Sequence, residues 1–170
     1  HAGWFAVHSG LASGADVILY REEKYNSKEV CDKVKKLKEQ GQNTGIIVIA
    51  EGAEEKDGSY TTQDGELDAF GHVKLGGAGE KLAKLIEDKT GIETRHIVLG
   101  HLARGGTPSA FDRVYGARLG YAAVNLVLGK KWGQMLTLRG TEIKSMSLED
   151  GVKQLKTVTN DYRDLIKQLT

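Results

Sequence analysis

The sequence has little cysteine and no excess of charge of either sign. Cys31 is the only cysteine among 170 residues, which excludes an internal disulfide framework and is typical of a protein from a reducing, cytoplasmic compartment. We expect a buried, unreactive thiol. The 24 Lys and Arg residues nearly cancel the 23 Asp and Glu residues, so the net charge of +1 provides no basic field for nucleic acid or anionic membranes. Any anion-binding site must therefore be local.

Long hydrophobic runs are also missing. No stretch approaches the roughly 18 apolar residues of a membrane-spanning helix, and the start does not resemble a signal peptide, so we expect no membrane contact. The content of 39% hydrophobic and 28% charged residues is ordinary for a folded protein. We expect residues 1–170 to form a single domain or fragment. The chain opens with HAGWF and no Met, which suggests a piece cut from a longer protein.

Short apolar runs alternate with helical patterns along the first half of the chain. The runs ADVILY (15–20) and GIIVIA (45–50) are too short for helices and rich in β-branched residues, which predicts buried strands. Between them lies a segment with helical spacing of its apolar residues. Asn26 and Glu29 are placed for a capping box at its start, and Gly41 is placed as its stop.

The same alternation continues to the C-terminus. It predicts a helix in 79–91, with Leu82, Leu85 and Ile86 on one face, and then a third strand, RHIVLG (95–100). A long helix from Thr107 and Pro108 to about Leu128 and a fourth strand, QMLTLRG (134–140), are expected next. The tail is predicted to dock on the sheet through Tyr162, Leu165 and Ile166. Residues 52–76 contain either a hairpin or a functional loop, and the sequence does not choose between them. Strands alternating with helices predict an α/β fold: an open parallel sheet with right-handed crossovers and helices on both faces.

Polar side chains follow two of the predicted strands at the point where each strand ends. Glu51 comes directly after GIIVIA, and His101 holds the same position after HIVLG. Ligands of open α/β sheets bind at the carboxyl ends of the strands, so we expect both side chains at one rim. Gly105 and Gly106 precede a helix whose N-terminal amides favour an anion, and Arg104 adds a planar fork for phosphate oxygens. Because a carboxylate accepts hydrogen bonds from sugar hydroxyls, the combination predicts a site for a sugar phosphate.

Each of these residues also has a purely structural interpretation. A histidine after a strand often caps or packs, Arg104 has Asp112 as an alternative local partner, and Glu51 belongs to EGAEE, which is also typical of a solvated acidic loop. Spacing alone leaves both interpretations open.

Other chemistry-bearing residues favour structural roles. GGAGE (76–80) lacks the GxGxxG spacing of a nucleotide loop and predicts a helix-entry turn, and Arg113 and Arg118 are expected to form ion pairs within the long helix. Four histidines have no partner at metal-ligand spacing, so we predict no metal site and expect surface or packing roles for His1, His8, His72 and His96.

Three segments together resemble the C-terminal half of a 6-phosphofructokinase. They are HAGWFAVHSGLASGADVILYREE, VIAEGA and GIETRHIVLGHLARGGTPSAFDR, with the spacing between them. The resemblance implies a Rossmann-like domain of a cytoplasmic, glycolytic transferase. Members of the family transfer a phosphoryl group to the 1-hydroxyl of fructose 6-phosphate, giving fructose 1,6-bisphosphate. The donor is ATP with Mg²⁺ or, in some branches, pyrophosphate.

The resemblance also implies roles for individual residues. Glu51 matches the carboxylate that contacts the sugar, and His101 and Arg104 match residues that hold the substrate on the same subunit. Arg95 matches an arginine that reaches into the neighbouring subunit to hold the 6-phosphate, which implies a homodimer or homotetramer. The family's aspartate-bearing catalytic motif and glycine-rich donor loop belong to an N-terminal half that is absent from this sequence. We therefore expect no catalytic residue here and no activity from the isolated chain.

Two alternatives remain within this resemblance. One is a pyrophosphate-dependent fructose 6-phosphate 1-phosphotransferase, and the other is a non-catalytic half that binds or senses sugar phosphates. A degenerate half would be expected to lose some of the substrate residues, whereas all four are intact.

The turn before GIIVIA departs from the regulated bacterial members of the family. Those members carry basic residues in this turn for a phosphorylated effector, whereas this sequence has Gln40, Gln42 and Thr44. Neutral side chains cannot supply that charge, so we expect the effector response to be lost.

Overall fold

A computed structural model describes residues 3–56 and 77–170. The described residues fall into two compact units, one containing 3–56, 77–98 and Lys156–Thr170 and the other containing Leu99–Leu155. The helices are α1 (Trp4–Ser13), α2 (Ser27–Glu39), α3 (Ala78–Thr90), α4 (Ala110–Leu128), α5 (Leu148–Val152) and α6 (Asn160–Leu169), and the strands are β1 (Val17–Leu19), β2 (Ile47–Ile49), β3 (Gln134–Arg139) and β4 (Glu142–Ser147).

The first unit is a parallel pair of strands with helices on both faces. β1 pairs with β2 in a register that sets Val17 opposite Ile47 and Leu19 opposite Ile49. Because side chains alternate along a strand, the two faces build separate cores. One cluster contains Leu19 with side chains of α2 and α3, and the other contains Ile18 with side chains of α1 and α6. The predicted α/β class, the first two strands and the layering of helices are confirmed.

The start of α2 differs from the predicted capping box. Asn26 is the N-cap, and its Oδ1 accepts a hydrogen bond from the Lys28 amide at 2.9 Å. Among the described residues Glu29 makes no reciprocal bond to the Asn26 amide, and its carboxylate lies 3.9 Å from Nζ of Lys56. The carboxylate of Glu55, which is 4% exposed, instead accepts from the amide of Ser27 at 3.1 Å. A distant acid thus binds the first amide of the helix, next to the one that a capping box would use.

Two further predictions about the first unit are confirmed. The chain leaves α2 through Gly41 at φ 81°, as expected for a glycine stop. Cys31 is buried, and burial raises the pKa of its thiol, in agreement with an unreactive role.

The predicted third strand, 95–100, is wrong. Residues 91–99 have neither helical nor strand structure, and Ile97 is 81% exposed. A short apolar run becomes a strand only where a neighbouring strand offers its hydrogen bonds, and among the described residues of this unit β2 pairs with β1 alone.

The C-terminal tail docks in the first unit as predicted, with one exception. Ile166 is buried and Tyr162 packs against the core that contains α1, whereas Leu165 is 41% exposed. The Tyr162 ring contacts Trp4 edge-on at 5.2 Å and stacks on His8 at 5.3 Å. Nε1 of Trp4 also donates to the carbonyl of Lys156 at 2.7 Å, which ties the tail to α1.

The second unit contains a 3₁₀ turn (Gly100–Arg104), α4, a hairpin and α5. The prediction of a strand at 134–140 is confirmed in position but not in direction, because β3 pairs antiparallel with β4. The two strands are joined by a tight turn that contains Gly140 at φ 60°. α4 begins later than predicted, at Ala110, since Ser109 and Asp112 form a capping box there.

Within the residues that the structure describes, no helix combines the length and the apolar content required to cross a membrane. The two alternatives for 52–76 lie largely outside the described residues.

Candidate functional site

The loops that follow β1 and β2 run side by side at the carboxyl ends of the strands. The amide of Ala50 donates to the carbonyl of Leu19 at 2.8 Å, which extends the ladder beyond the strands. Further along, the amide of Tyr25 donates to the carbonyl of Glu54 at 3.0 Å, and the amide of Lys56 donates to the carbonyl of Tyr25 at 2.8 Å. Backbone hydrogen bonds therefore hold both loops at the rim where the sequence predicts a ligand.

Glu51 occupies this rim, directly beyond β2. Its side chain is half-buried, and its Oε2 is shielded from solvent without a hydrogen-bond partner among the described residues. Leaving a carboxylate oxygen buried and unpaired is costly, and a hydroxyl donor from a ligand would remove that cost. This oxygen is the clearest sign of a binding role in the first unit.

Arg21 lies beside Glu51 and was not predicted to belong to a site. A Cβ built on Gly52 would lie 3.6 Å from Cδ of Arg21 and 3.8 Å from its Cβ, so the stem of the arginine covers this glycine. The rule that points to Glu51, inspection of the residues just beyond each strand, also points to Arg21 when it is applied to β1.

Arg95 lies in the irregular segment of the first unit, close to its boundary. Its Nε and Nη2 donate to one carboxylate oxygen of Glu93 at 2.9 and 2.7 Å, and both side chains are largely exposed. Such an exposed pair contributes little stability, so releasing the guanidinium to another partner costs little. Its use by a neighbouring subunit stays a prediction.

His101 and Arg104 lie in the second unit, on a single 3₁₀ turn spanning Gly100–Arg104. Neither side chain has a hydrogen-bond or ion-pair partner among the described residues. Gly105 follows directly, and Gly106 adopts φ 94°, a conformation that disfavours side chains with a Cβ. The turn therefore presents two unengaged cationic or donor groups just ahead of α4.

The alternative partner of Arg104 is engaged elsewhere. Asp112 accepts from the amide and the hydroxyl of Ser109, both at 2.8 Å. These hydrogen bonds lower the pKa of the Asp112 carboxyl. The structure does not show the alternative ion pair between Arg104 and Asp112.

The predicted site residues thus fall into two groups. Glu51 and Arg95 belong to the first unit, and His101 and Arg104 belong to the second. The structure brings His101 and Arg104 together on one turn, and their use together with Glu51 stays a prediction from sequence.

The other histidines have packing or surface positions where the structure describes them, as predicted. His8 packs between aromatic rings and His96 is exposed, while His1 and His72 lie outside the described residues. The described part of the chain holds no cluster of three or more His, Cys, Asp or Glu residues suited to a metal ion.

The prediction for the GGAGE segment is confirmed, and the predictions for Arg113 and Arg118 are not. Gly77 is the N-cap of α3 at φ 90°, which confirms a helix-entry turn within GGAGE. The ion pairs predicted for the α4 arginines are wrong, because Arg113 donates to the carbonyl of Pro108 at 3.4 Å and Arg118 to that of Thr141 at 2.5 Å. Among the described residues, an exposed carbonyl ahead of α4 and another in the turn of the hairpin accept from these guanidinium groups, and no acid does.

Comparison with known proteins gives consistent matches. The family model described as PFK, Phosphofructokinase, matches residues 1–127. A pyrophosphate–fructose 6-phosphate 1-phosphotransferase of Streptomyces coelicolor is 48% identical over 158 residues, covering 93% of this chain and 46% of that protein. An ATP-dependent 6-phosphofructokinase of Mycobacterium leprae is 43% identical over 164 residues, covering 96% of this chain and 48% of that protein. The chain spans about half the length of these curated relatives.

Solved structures share the fold. The crystal structure of a pyrophosphate-dependent phosphofructokinase from Marinobacter aquaeolei superimposes with a TM-score of 0.72 at 24% identity, covering 99% of this chain and 45% of that one. The similarity extends over nearly all of the chain and about half of its neighbour.

Proposed function

This chain belongs to the phosphofructokinase family, and from that premise we propose that it supplies the fructose 6-phosphate-binding part of an enzyme that phosphorylates the sugar's 1-hydroxyl. The observation that carries the proposal is the buried, unpartnered Oε2 of Glu51 at the rim of the parallel strands. Among the common ligands of such a rim, a sugar offers hydroxyl donors that satisfy this oxygen.

The acceptor sugar has an end with hydroxyl groups and an end with a phosphate, and we assign different residues to each end. Glu51 accepts a hydrogen bond from a sugar hydroxyl. His101 and Arg104 donate to the 6-phosphate, to which the α4 N-terminus adds a favourable dipole. Arg95 holds the 6-phosphate bound to a neighbouring subunit, which requires a homodimer or homotetramer.

The phosphoryl donor is held by a part of the fold that the matched relatives have in addition to the region aligned with this chain. Three relatives at 48% identity are named as pyrophosphate enzymes and another at 43% as ATP-dependent, which favours pyrophosphate as the first donor to test. We assign Mg²⁺ to the donor, and the reaction to the cytoplasm as a step of glycolysis. Because the catalytic groups of the family lie with the donor, this chain alone is expected to be inactive.

A chimera tests the proposal. The part of the Streptomyces coelicolor enzyme that matches this chain is replaced by residues 1–170, and fructose 1,6-bisphosphate formation is measured with pyrophosphate and with ATP. We expect activity that requires fructose 6-phosphate, and the same chimera with Glu51→Gln serves as the matched control with a weakened acceptor site. A chimera that folds normally, as judged by circular dichroism, but neither binds fructose 6-phosphate nor turns it over would disprove the proposal. Binding without turnover would favour the non-catalytic alternative.

A further inference from the structure

We propose that Arg21 is an additional residue of the acceptor site and binds the phosphorylated sugar beside Glu51. The inference rests on the proposed function, since it assigns a second side chain to the same rim. It concerns the first unit alone.

The strand register places Arg21 and Glu51 side by side. Leu19 is opposite Ile49 in the parallel pair, so Arg21 and Glu51 each lie two residues beyond the last paired position. The hydrogen bond from the Ala50 amide to the Leu19 carbonyl continues the pairing into this region. Neighbouring parallel strands bring equivalent positions close together, so both side chains emerge at one place on the rim.

The contact with Gly52 fixes where the stem of Arg21 runs. Three side-chain atoms of Arg21, Cβ, Cγ and Cδ, lie 3.6 to 3.9 Å from the Cβ position of Gly52. Gly52 is the residue after Glu51, so the stem extends over the Glu51 loop rather than away from it. The side chain is nevertheless exposed, which leaves the rim accessible to a ligand.

The backbone on both sides of Arg21 is tightly held. Tyr20 is 3% exposed, and its hydroxyl donates to Glu23 at 2.8 Å. The carboxylate of Glu22 accepts from the amide of Gly3 at 3.0 Å and from the amide of Val158 at 3.1 Å, which anchors it to α1 and to the tail. A binding residue on such a preorganised segment loses little entropy when the ligand arrives.

The chemistry of the pair fits a sugar phosphate better than a neutral sugar. A carboxylate alone at this rim repels a phosphate dianion, whereas a guanidinium next to it offsets that repulsion and offers donors in a planar fork. Glu51 then accepts from a hydroxyl while Arg21 donates to an anionic oxygen of the same ligand. This pair would make the first unit selective for phosphorylated over unphosphorylated sugar.

The test is a titration of the full 170-residue chain followed by NMR. The Nε–Hε signal of Arg21 is assigned by its loss in Arg21→Lys, and the chain is titrated with fructose 6-phosphate and, separately, with fructose. We expect a saturable shift of this signal with fructose 6-phosphate and none with fructose. Arg21→Ala should weaken binding of the phosphorylated sugar roughly ten-fold, the lower end of the effect of one charge-assisted hydrogen bond, because the arginine is exposed.

Lys24→Ala provides the matched control. Lys24 is an exposed cation three residues along the same loop, and its Nζ pairs with Glu54 at 3.1 Å, so its removal should leave binding unchanged. If fructose 6-phosphate shifts the amides of Gly105 and Gly106 while the Arg21 signal and the affinity of Arg21→Ala stay unchanged, the role of Arg21 is refuted and the proposed function survives. If fructose 6-phosphate shifts no signal in the chain, the affinities with and without Arg21→Ala are compared in the chimera: equal affinity refutes the role of Arg21, and no binding refutes both.

Discussion

Gln42 and Asp16 are joined by a side-chain hydrogen bond at the start of the parallel pair. Nε2 of Gln42 donates to Oδ1 of Asp16 at 3.0 Å and also to the carbonyl of Thr44 at 2.8 Å. The second carboxylate oxygen of Asp16 accepts from the amide of Ile46 at 2.8 Å. The turn between α2 and β2 is therefore closed by its own neutral side chain and has no cation to offer an anionic effector.

A first prediction concerns regulation through this turn. The complete enzyme is the assembly in which this chain acts. Its dependence of rate on fructose 6-phosphate concentration should not change when ADP or phosphoenolpyruvate is added. The reason is that Gln40, Gln42 and Thr44 provide no positive charge for a phosphorylated effector. Steady-state kinetics with and without each compound check this. A large shift that disappears on substitution of Gln40 or Gln42 would contradict it.

A second prediction concerns Arg104. In the complete enzyme, Arg104→Ala should raise KM for fructose 6-phosphate about 10-fold to 100-fold, because each charge-assisted hydrogen bond contributes roughly 1.5 to 3 kcal/mol. Arg113→Ala is the matched control, since that guanidinium contacts only a carbonyl at 3.4 Å among the described residues. An unchanged KM in Arg104→Ala would show that this arginine does not bind the substrate.

A third prediction tests the use of Arg95 across a subunit interface. Arg95→Ala should weaken fructose 6-phosphate binding by a similar factor, because it removes a guanidinium that the neighbouring site uses. Hybrid oligomers that combine Arg95→Ala subunits with Arg104→Ala subunits should regain normal affinity for fructose 6-phosphate at the sites of Arg95→Ala subunits whose neighbour supplies an intact Arg95. Hybrids that remain as weak as the two parents would argue that Arg95 acts within its own subunit or not at all.

A fourth prediction concerns packing between α1 and β1. A Cβ on Gly10 would lie 2.7 Å from both Cδ1 and Cγ1 of Ile18, a buried core residue. Gly10→Ala should therefore destabilise the chain by about 1 to 3 kcal/mol, despite the better helix propensity of alanine. Urea denaturation followed by circular dichroism measures the change.

Gly116 in α4 offers the control for this substitution. No described residue outside its own helix places an atom within 4 Å of its Cβ position, so Gly116→Ala should be neutral or stabilising by up to about 1 kcal/mol. Equal effects of the two substitutions would show that the contact between α1 and β1 is looser than described.

Local sequence patterns were sufficient for the elements whose stabilising contacts are near in the chain. Helical spacing and Asn26 located α2, and the β-branched runs located β1 and β2 within one or two residues. The position of Glu51 directly beyond a strand followed from the same patterns. Periodicity reports which face of an element is buried, and it does so without knowledge of the partner.

Long-range contacts decided the rest. RHIVLG has the composition of a strand but lacks a hydrogen-bonded neighbouring strand among the described residues. QMLTLRG pairs in antiparallel direction with the segment that follows it. Glu55 caps α2 across 28 positions of sequence, and Arg21 meets Gly52 across 31. The sequence by itself determined the family, the helices and the position of Glu51 at the rim, because these depend on local pattern and motif. Strand pairing, the distant cap and the setting of Arg21 were decided only by tertiary structure, because hydrogen-bond partners and side-chain neighbours from remote segments leave no local periodic signal.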